Sequence, residues 1–487
     1  MRHSSKQALI ILSVCFIADL VSFILWRWNI NDLSLAILAI IFISIIYFGR
    51  KDLRSAFIPA LIELIVGSQG RLLSADIFNF SLSLRMTIFG AAMIAWLSHV
   101  IKQRKTELFQ STFLTRYMAL GAFCFLGLVM AIFRHNNWGL IYADFNAWLF
   151  FLYAGLFIDA IHEMPDKKLL KPVVLTACAY IGVKTILLFY SFTHLLTINP
   201  TLYDWVRDTR WAEVTLVAGN LFRIFSQAQI FLVAGGLLML PLVVLSKKID
   251  WHLFFIVAML NAATLICLSR SNWLGVLAGT LIVLIIIIIH RITRSLVWIS
   301  LWRKLWLVIL SFTIFYAILY FPIPNVLGLQ ADQALKDRLQ FNAAAVTSRI
   351  SQLAPLSKAI SQHPIIGSGW GTTITYQTED PRLLKQTIDG RYTTYAFEWG
   401  YLDIILKIGL AGLTAYMFFI WSIAKQLWKS VINSQELKPL TMGGLAVLTG
   451  LLITNIFSPY LNHPLGIGII LLIWALTTIN ETHVTSK

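Results

Sequence analysis

"WLGVLAGTLIVLIIIIIH", residues 273–290, runs eighteen residues without a carboxylate, an ammonium or a guanidinium. At 1.5 Å per residue a helix of that length reaches about 27 Å, close to the roughly 30 Å hydrocarbon core of a bilayer. A helix also satisfies its own backbone hydrogen bonds, which lipid cannot do for it. The flanks are polar: "CLSRSN" precedes the run, and Arg291 and Arg294 follow it. The whole chain repeats this pattern. Of 487 residues, 58% are hydrophobic and 13% charged, with a mean hydropathy of +0.75, which excludes an ordinary soluble domain. The fold class expected is all-α, a polytopic integral membrane helix bundle of about 12–14 transmembrane helices. Apolar runs cover 8–26, 33–48, 55–68, 86–101, 117–133, 143–161, 172–192, 224–246, 252–268, 273–290, 304–322, 400–421, 439–457 and 465–480. The run 55–68, "SAFIPALIELIVGS", is short and the first to be given up.

Lysine and arginine in short loops stay on the cytoplasmic side of a membrane. The clusters Arg2/Lys6, Arg50/Lys51/Arg54, Lys102/Arg104/Lys105, Lys167/Lys168/Lys171, Lys247/Lys248, Arg291/Arg294/Arg303/Lys304 and Lys425/Lys429 fall on alternate loops. All are cytoplasmic if the N-terminus is inside, and the number of spans is then even. The net charge of +16 is thus an orientation and anionic-lipid signal, and no soluble basic domain remains to bind nucleic acid. "MRHSSK" opens a run with no small-x-small cleavage site after it, and reads as part of a retained first helix. Cys15, Cys124, Cys178 and Cys267 lie inside apolar runs, where cysteine packs as a small hydrophobe, so no disulfide framework is implied. There is no Gly-Lys-Ser phosphate loop, no HExxH and no Asp-x-Asp pair. The chemistry expected needs neither metal nor cofactor.

This topology divides the chain into N-terminal transmembrane helices (1–192), central helices with outer arginine-bearing loops (193–322), a large helical extracytoplasmic loop between the eleventh and twelfth spans (323–398), and C-terminal helices (399–487). Outer segments as long as 193–223 and 323–398 seldom lack a task. The first carries Arg207, Arg210 and Arg223 against the positive-inside tendency. Headgroup snorkelling accounts equally well for Arg207 and Arg210. Arg223 sits at the mouth of a span followed by Ser226, Gln227 and Gln229, a polar helix start that points to a cavity lining. In "CLSRSNWLG" a turn between spans exposes Ser269, Arg270, Ser271 and Asn272 on the same side; its plain reading is a helix cap.

In the second segment Leu339, Ala343, Val346, Ile350 and Leu353 are spaced as on the apolar face of a helix. Arg338, Asn342, Ala345 and Arg349 share a neighbouring face, so two guanidiniums can point at one anion and grip its oxygens bidentately. The helix should end before Pro364. "GSGWG", 367–371, is a turn whose backbone at Gly367 and Gly369 can approach a substrate closely. In "TTYAFEWGYLDIILKIGLAG", 393–412, Glu398, Leu402, Ile405, Gly409 and Gly412 form one helix stripe, with glycines for close helix approach. Asp403 and Lys407 can neutralise each other at i, i+4. Glu398 has no partner on that helix, which makes it a candidate site residue; an interfacial salt bridge to an outer arginine is the plain reading.

From Arg223 to the C-terminus these residues resemble the O-antigen ligase and O-antigen polymerase superfamily of bacterial envelope glycan assembly. The resemblance rests on four features in order: Arg223 before a polar stretch; Ser269-Arg270 before a hydrophobic helix; Arg349, fifteen residues before Pro364 and eighteen before the Gly367-x-Gly369 turn; and the Leu402, Gly409, Gly412 helix start. "FSPYLNHPLG", 457–466, also resembles distant members. Family members commonly place a His-Asn pair where Glu398 and Trp399 stand, the His activating the acceptor hydroxyl; a carboxylate can accept that proton too. What the resemblance implies is inverting, metal-independent glycosyl transfer from a polyprenyl-diphosphate-linked glycan to an acceptor hydroxyl outside the bacterial cytoplasmic membrane. The donor diphosphate would be held by Arg223 and Arg349, then Arg270 and Arg338. Glu398 would be the catalytic base, with His463 the other proton acceptor on that face. The alternatives are a glycolipid flippase or other transporter, against which no internal repeat is visible, and a non-catalytic scaffold of a polysaccharide assembly complex.

Overall fold

The computed structural model describes residues 2–78, 80–164, 169–194, 200–218, 221–289, 294–321, 344–378, 384, 387, 389–432 and 438–485. Arg338, Leu339, Asn342 and Ala343 lie outside the described residues. The chain begins with α1 (Arg2–Trp28), α2 (Asn31–Gly49), α3 (Arg54–Val66), the strands β1 (Ser74–Ile77) and β2 (Phe80–Ser83), α4 (Leu84–Gln103) and α5 (Leu114–Phe133). Next, α6 (Trp138–Phe145) continues through a 3-10 segment (Asn146–Leu152) into α7 (Tyr153–His162). There follow α8 (Leu170–His194), α9 (Pro200–Asp208), β3 (Glu213–Ala218), β4 (Leu221–Phe225), α10 (Ile230–Leu245), α11 (Trp251–Ile266), α12 (Arg270–Ile289) and α13 (Arg294–Tyr320). The last part holds an amphipathic helix (Ala344–Gln362), β5 (Ile374–Gln377), β6 (Arg391–Thr394), and helices Gly400–Ile432, Pro439–Thr454 and Pro464–Thr485.

Among the described residues ten helical segments are long and apolar enough to cross a membrane, so this is a multi-pass membrane protein. Every apolar run read from the sequence contains a helix. The expendable run is one of them: α3 buries Phe57, Ala60, Leu61 and Leu64. Its Glu63 is neutralised by the Nε of Arg85 on α4, at 3.0 Å, because a buried carboxylate is tolerated only when paired.

The bundle is helical as expected, with three antiparallel hairpins among the described residues, β1–β2, β3–β4 and β5–β6, set between its helices. Two expectations need correction. The run 224–246 does not begin as a helix: Arg223, Ile224 and Phe225 belong to β4, paired to β3 with Thr215 opposite Arg223. Only after the Ser226 capping box does the chain turn helical. Finally, Gly409 breaks the Gly400–Ile432 helix with φ 73° and ψ 177°, so the stripe from Glu398 to Gly412 is not one continuous helix face. Residues 364–369 fill the break. The N–H groups of Leu410 and Ala411 donate to Pro364 and Ile365 carbonyls at 2.8 and 3.1 Å, and Ser368 and Gly369 N–H groups donate to Leu406 and Lys407 carbonyls at 2.6 and 3.0 Å. A loop thus supplies the hydrogen bonds that the helix forgoes.

Side-chain contacts tie the hairpins and their neighbouring turns to a common end of the bundle. Asn31 bonds the backbone of Asp76, Trp26 reaches Asp208, and Arg134 and Asn136 bond the carbonyls of Gly367 and Trp370. At that end two connections lie low. α11 and the Pro439–Thr454 helix have sixteen residues each, about 24 Å and short of a full crossing. The turns that follow them are buried: Cys267, Ser269, Tyr460 and Leu461 all have little exposure. Glycines at the crossing of α12 with the Pro439–Thr454 helix permit this, as a Cβ on Gly275 would stand 2.2 Å from the Thr454 hydroxyl. Ser271 and Ser458 then join the two turns at 2.8 Å.

Candidate functional site

Over these sunken turns three arginines from three elements converge. Strand alternation puts Arg223 and Phe225 on one face of β4, and the guanidinium lies 4.6 Å from the centre of the Phe225 ring. Its Nε donates to the Cys267 carbonyl at 2.9 Å, at the C-cap of α11, where an unsatisfied carbonyl and the helix dipole both favour a cation. Arg270 opens α12 three residues later. Arg349 comes from the amphipathic helix, anchored by Trp399, whose Nε1 donates to the Arg349 carbonyl at 2.9 Å; Trp399 in turn packs on Phe457 at 5.5 Å. Burial, then the positive charges of Arg223 and Arg270, push the Arg349 guanidinium down to about 10. The three cations therefore sense one another although 126 residues separate Arg223 from Arg349.

Glu398 is not unpaired: its carboxylate is in contact with the Nε of Arg349. The partner comes from another element, which spacing along one helix cannot reveal. Both remain accessible, with side-chain exposures of 34% for Arg349 and 50% for Glu398. His463 is deeper. Its Nδ1 accepts the Leu465 N–H, its ring meets Tyr460 edge-on, and burial followed by the Arg85 charge pushes it down to about 3. Such an imidazole stays neutral and is a weak proton acceptor. The Tyr460 hydroxyl is buried without a hydrogen-bond partner among the described residues.

The Gly367-Ser368-Gly369-Trp370-Gly371 turn has positive φ at all three glycines, 77°, 88° and 74°. Its close approaches are to the chain's own backbone: a Cβ on Gly367 would lie 2.5 Å from Lys407 and Gly409, and one on Gly369 would lie 2.4 Å from Ala131. The turn locks the broken helix against α5. Lys407, expected to pair with Asp403, does so at 2.7 Å, and also binds Asp144 at 2.6 Å. Asp144 further accepts the Gly371 N–H at 2.8 Å. Sequence reading passed over Asp144, although a carboxylate in the apolar run 143–161 was the available signal. Arg338 lies outside the described residues. Among these residues no three His, Cys, Asp or Glu side chains are arranged to hold a metal ion. No protein-family model matches the chain, and no curated protein matches it.

Proposed function

We propose that the protein transfers a glycan from a polyprenyl-diphosphate carrier to an acceptor hydroxyl, as an O-antigen ligase or polymerase does. The observation that carries this reading is the convergence of Arg223, Arg270 and Arg349 with Glu398 at one end of a membrane bundle. The basic clusters Lys102/Arg104, Lys247/Lys248 and Lys425/Lys429 lie in or just beyond the last turns of their helices, at the ends away from the hairpins, so the hairpin end faces out of the cytoplasm. The membrane is then the bacterial cytoplasmic membrane, and lipid-linked donor reaches the arginines laterally.

In this mechanism the donor diphosphate competes with Glu398 for Arg349 and frees the carboxylate. The acceptor oxygen attacks the anomeric carbon from the side opposite the diphosphate, giving inversion, while its proton passes to Glu398. The bond from the anomeric carbon to the diphosphate oxygen breaks, and the growing charge on that leaving group is stabilised by guanidiniums fixed before the reaction begins.

The interrupted helix at Gly409 favours a second reading, a lipid-glycan transporter, because transporters use broken helices. Its gap is filled by residues 364–369 rather than open to a substrate path, which supports transfer over transport. Reconstitution with radiolabelled lipid-linked oligosaccharide separates the two. Glycan released onto an acceptor, as a ladder or as a single block, supports transferase; intact donor moved between leaflets overturns it in favour of transport.

A further inference from the structure

Beside the arginine cluster, and separate from it, the hairpin end holds a polar cavity of about 330 Å³ between α3, α9 and the β3–β4 hairpin. We infer that this cavity is a binding site for an acidic carbohydrate, a sugar bearing a carboxylate or a phosphate. Its floor is rigid. Trp211, 1% exposed, donates through Nε1 to the Val66 carbonyl at 3.1 Å, and the buried hydroxyls of Ser68 and Ser226 join at 3.0 Å. Two lining residues, Ser68 and Arg210, hold left-handed backbone conformations (φ 53° and 51°) that only glycine adopts without cost.

The rim carries the charge. Arg207 is pre-positioned by the Tyr203 hydroxyl at 2.9 Å and lies 5.5 Å from the centre of that ring. Arg210 stands close enough to Arg71 that, after burial, its charge helps push the Arg71 guanidinium down. Two guanidiniums, Arg207 and Arg210, share the lining with one carboxylate, Glu213, and this net positive charge over a fixed floor is arranged for an anion. Between them Gln69 and Gln227 offer amide groups, which match sugar hydroxyls and disfavour an apolar ligand. A volume near 300 Å³ is the lower range of small-molecule sites and suits one or two rings of an oligosaccharide whose remainder extends outside it. Phe225 forms a wall of this cavity and also the platform for Arg223, so a glycan seated here abuts the arginine cluster. The inference goes beyond the transfer reading and does not depend on it.

Calorimetric titration of the purified protein with trigalacturonate, glucose 6-phosphate and neutral maltotriose tests it. At least one acidic sugar should bind, and maltotriose should bind about tenfold more weakly or not at all, since the arginine contacts are charge-assisted. Arg210→Gly removes the guanidinium while relieving the positive φ, so it should retain thermal stability yet weaken the acidic sugar about tenfold; Arg207→Gln should weaken it too. Arg349→Gln should leave this binding unchanged. Equal affinity for maltotriose, wild-type affinity in Arg210→Gly, absence of millimolar binding by both acidic sugars, or loss of binding in Arg349→Gln would each overturn the inference, the last by placing the anion at the other cluster.

Discussion

Gly409→Ala probes whether the break in the Gly400–Ile432 helix is locked by the 364–369 loop. The new Cβ would stand 2.0 Å from the Ile365 carbonyl oxygen and 2.5 Å from the Ile366 nitrogen, so the loop backbone must retreat. An alanine at φ 73°, ψ 177° costs about 1–3 kcal/mol in backbone strain. Displacing the loop also loosens the Leu410 and Ala411 hydrogen bonds to Pro364 and Ile365, at about 0.5–1.5 kcal/mol each. The total is about 2–6 kcal/mol. Most of it should appear as faster unfolding, and since 1.4 kcal/mol is tenfold, the thermal-inactivation half-life in detergent should fall by roughly 10². Gly121→Ala on α5 is the control: its Cβ meets nothing within 4 Å at an ordinary helical position, and the half-life should change by less than about tenfold. A Gly409→Ala protein that survives as long as wild type would refute the locked break.

Lys407→Met should be far worse than Asp144→Asn. The first leaves Asp144 and Asp403 buried without their shared cation, costing about 3–5 kcal/mol, whereas the second keeps the Lys407–Asp403 pair; folded yield after purification reads the order, and equal yields would contradict it. Arg349→Lys should raise the dissociation constant for a polyprenyl-diphosphate donor about tenfold or more, because an ammonium lacks the planar fork, and unchanged affinity would remove Arg349 from the donor site. A single cysteine at Gln377, exposed at the end of β5, in a background lacking the four buried native cysteines, should label with an impermeant reagent in intact spheroplasts. Labelling only after lysis would invert the topology.

The helices were legible because lipid imposes a length and a composition that eighteen-residue runs display openly. The charge pairs were legible only within one helix: Asp403 and Lys407 sit at i, i+4, while Asp144 and Arg349 reach their partners from other elements, and no periodicity encodes that. Strand β4 was read as the start of a span because "LFRIF" is apolar in either conformation; its alternation is too short to outvote the helix that follows. Gly409 looked like a helix-contact glycine since its neighbours are good helix residues, and only the loop that packs on it explains its left-handed backbone. Spacing alone marks Arg223, Arg270 and Arg349 one at a time; only the resemblance grouped them on one diphosphate, because they come from three separate elements.

Whether Glu398 takes the acceptor's proton beside an arginine-held diphosphate is decided by Glu398→Gln. Donor affinity, melting temperature and single-turnover transfer rate are measured on the same purified protein with lipid-linked oligosaccharide. The expected result is folded protein with donor affinity equal to or tighter than wild type, since the competitor for Arg349 is gone, and a transfer rate reduced by roughly 10² to 10⁴, the contribution of a positioned base. A folded Gln variant that turns over at the wild-type rate would contradict it, as would a rate that falls only in step with lost folded protein, the signature of a structural Arg349–Glu398 pair.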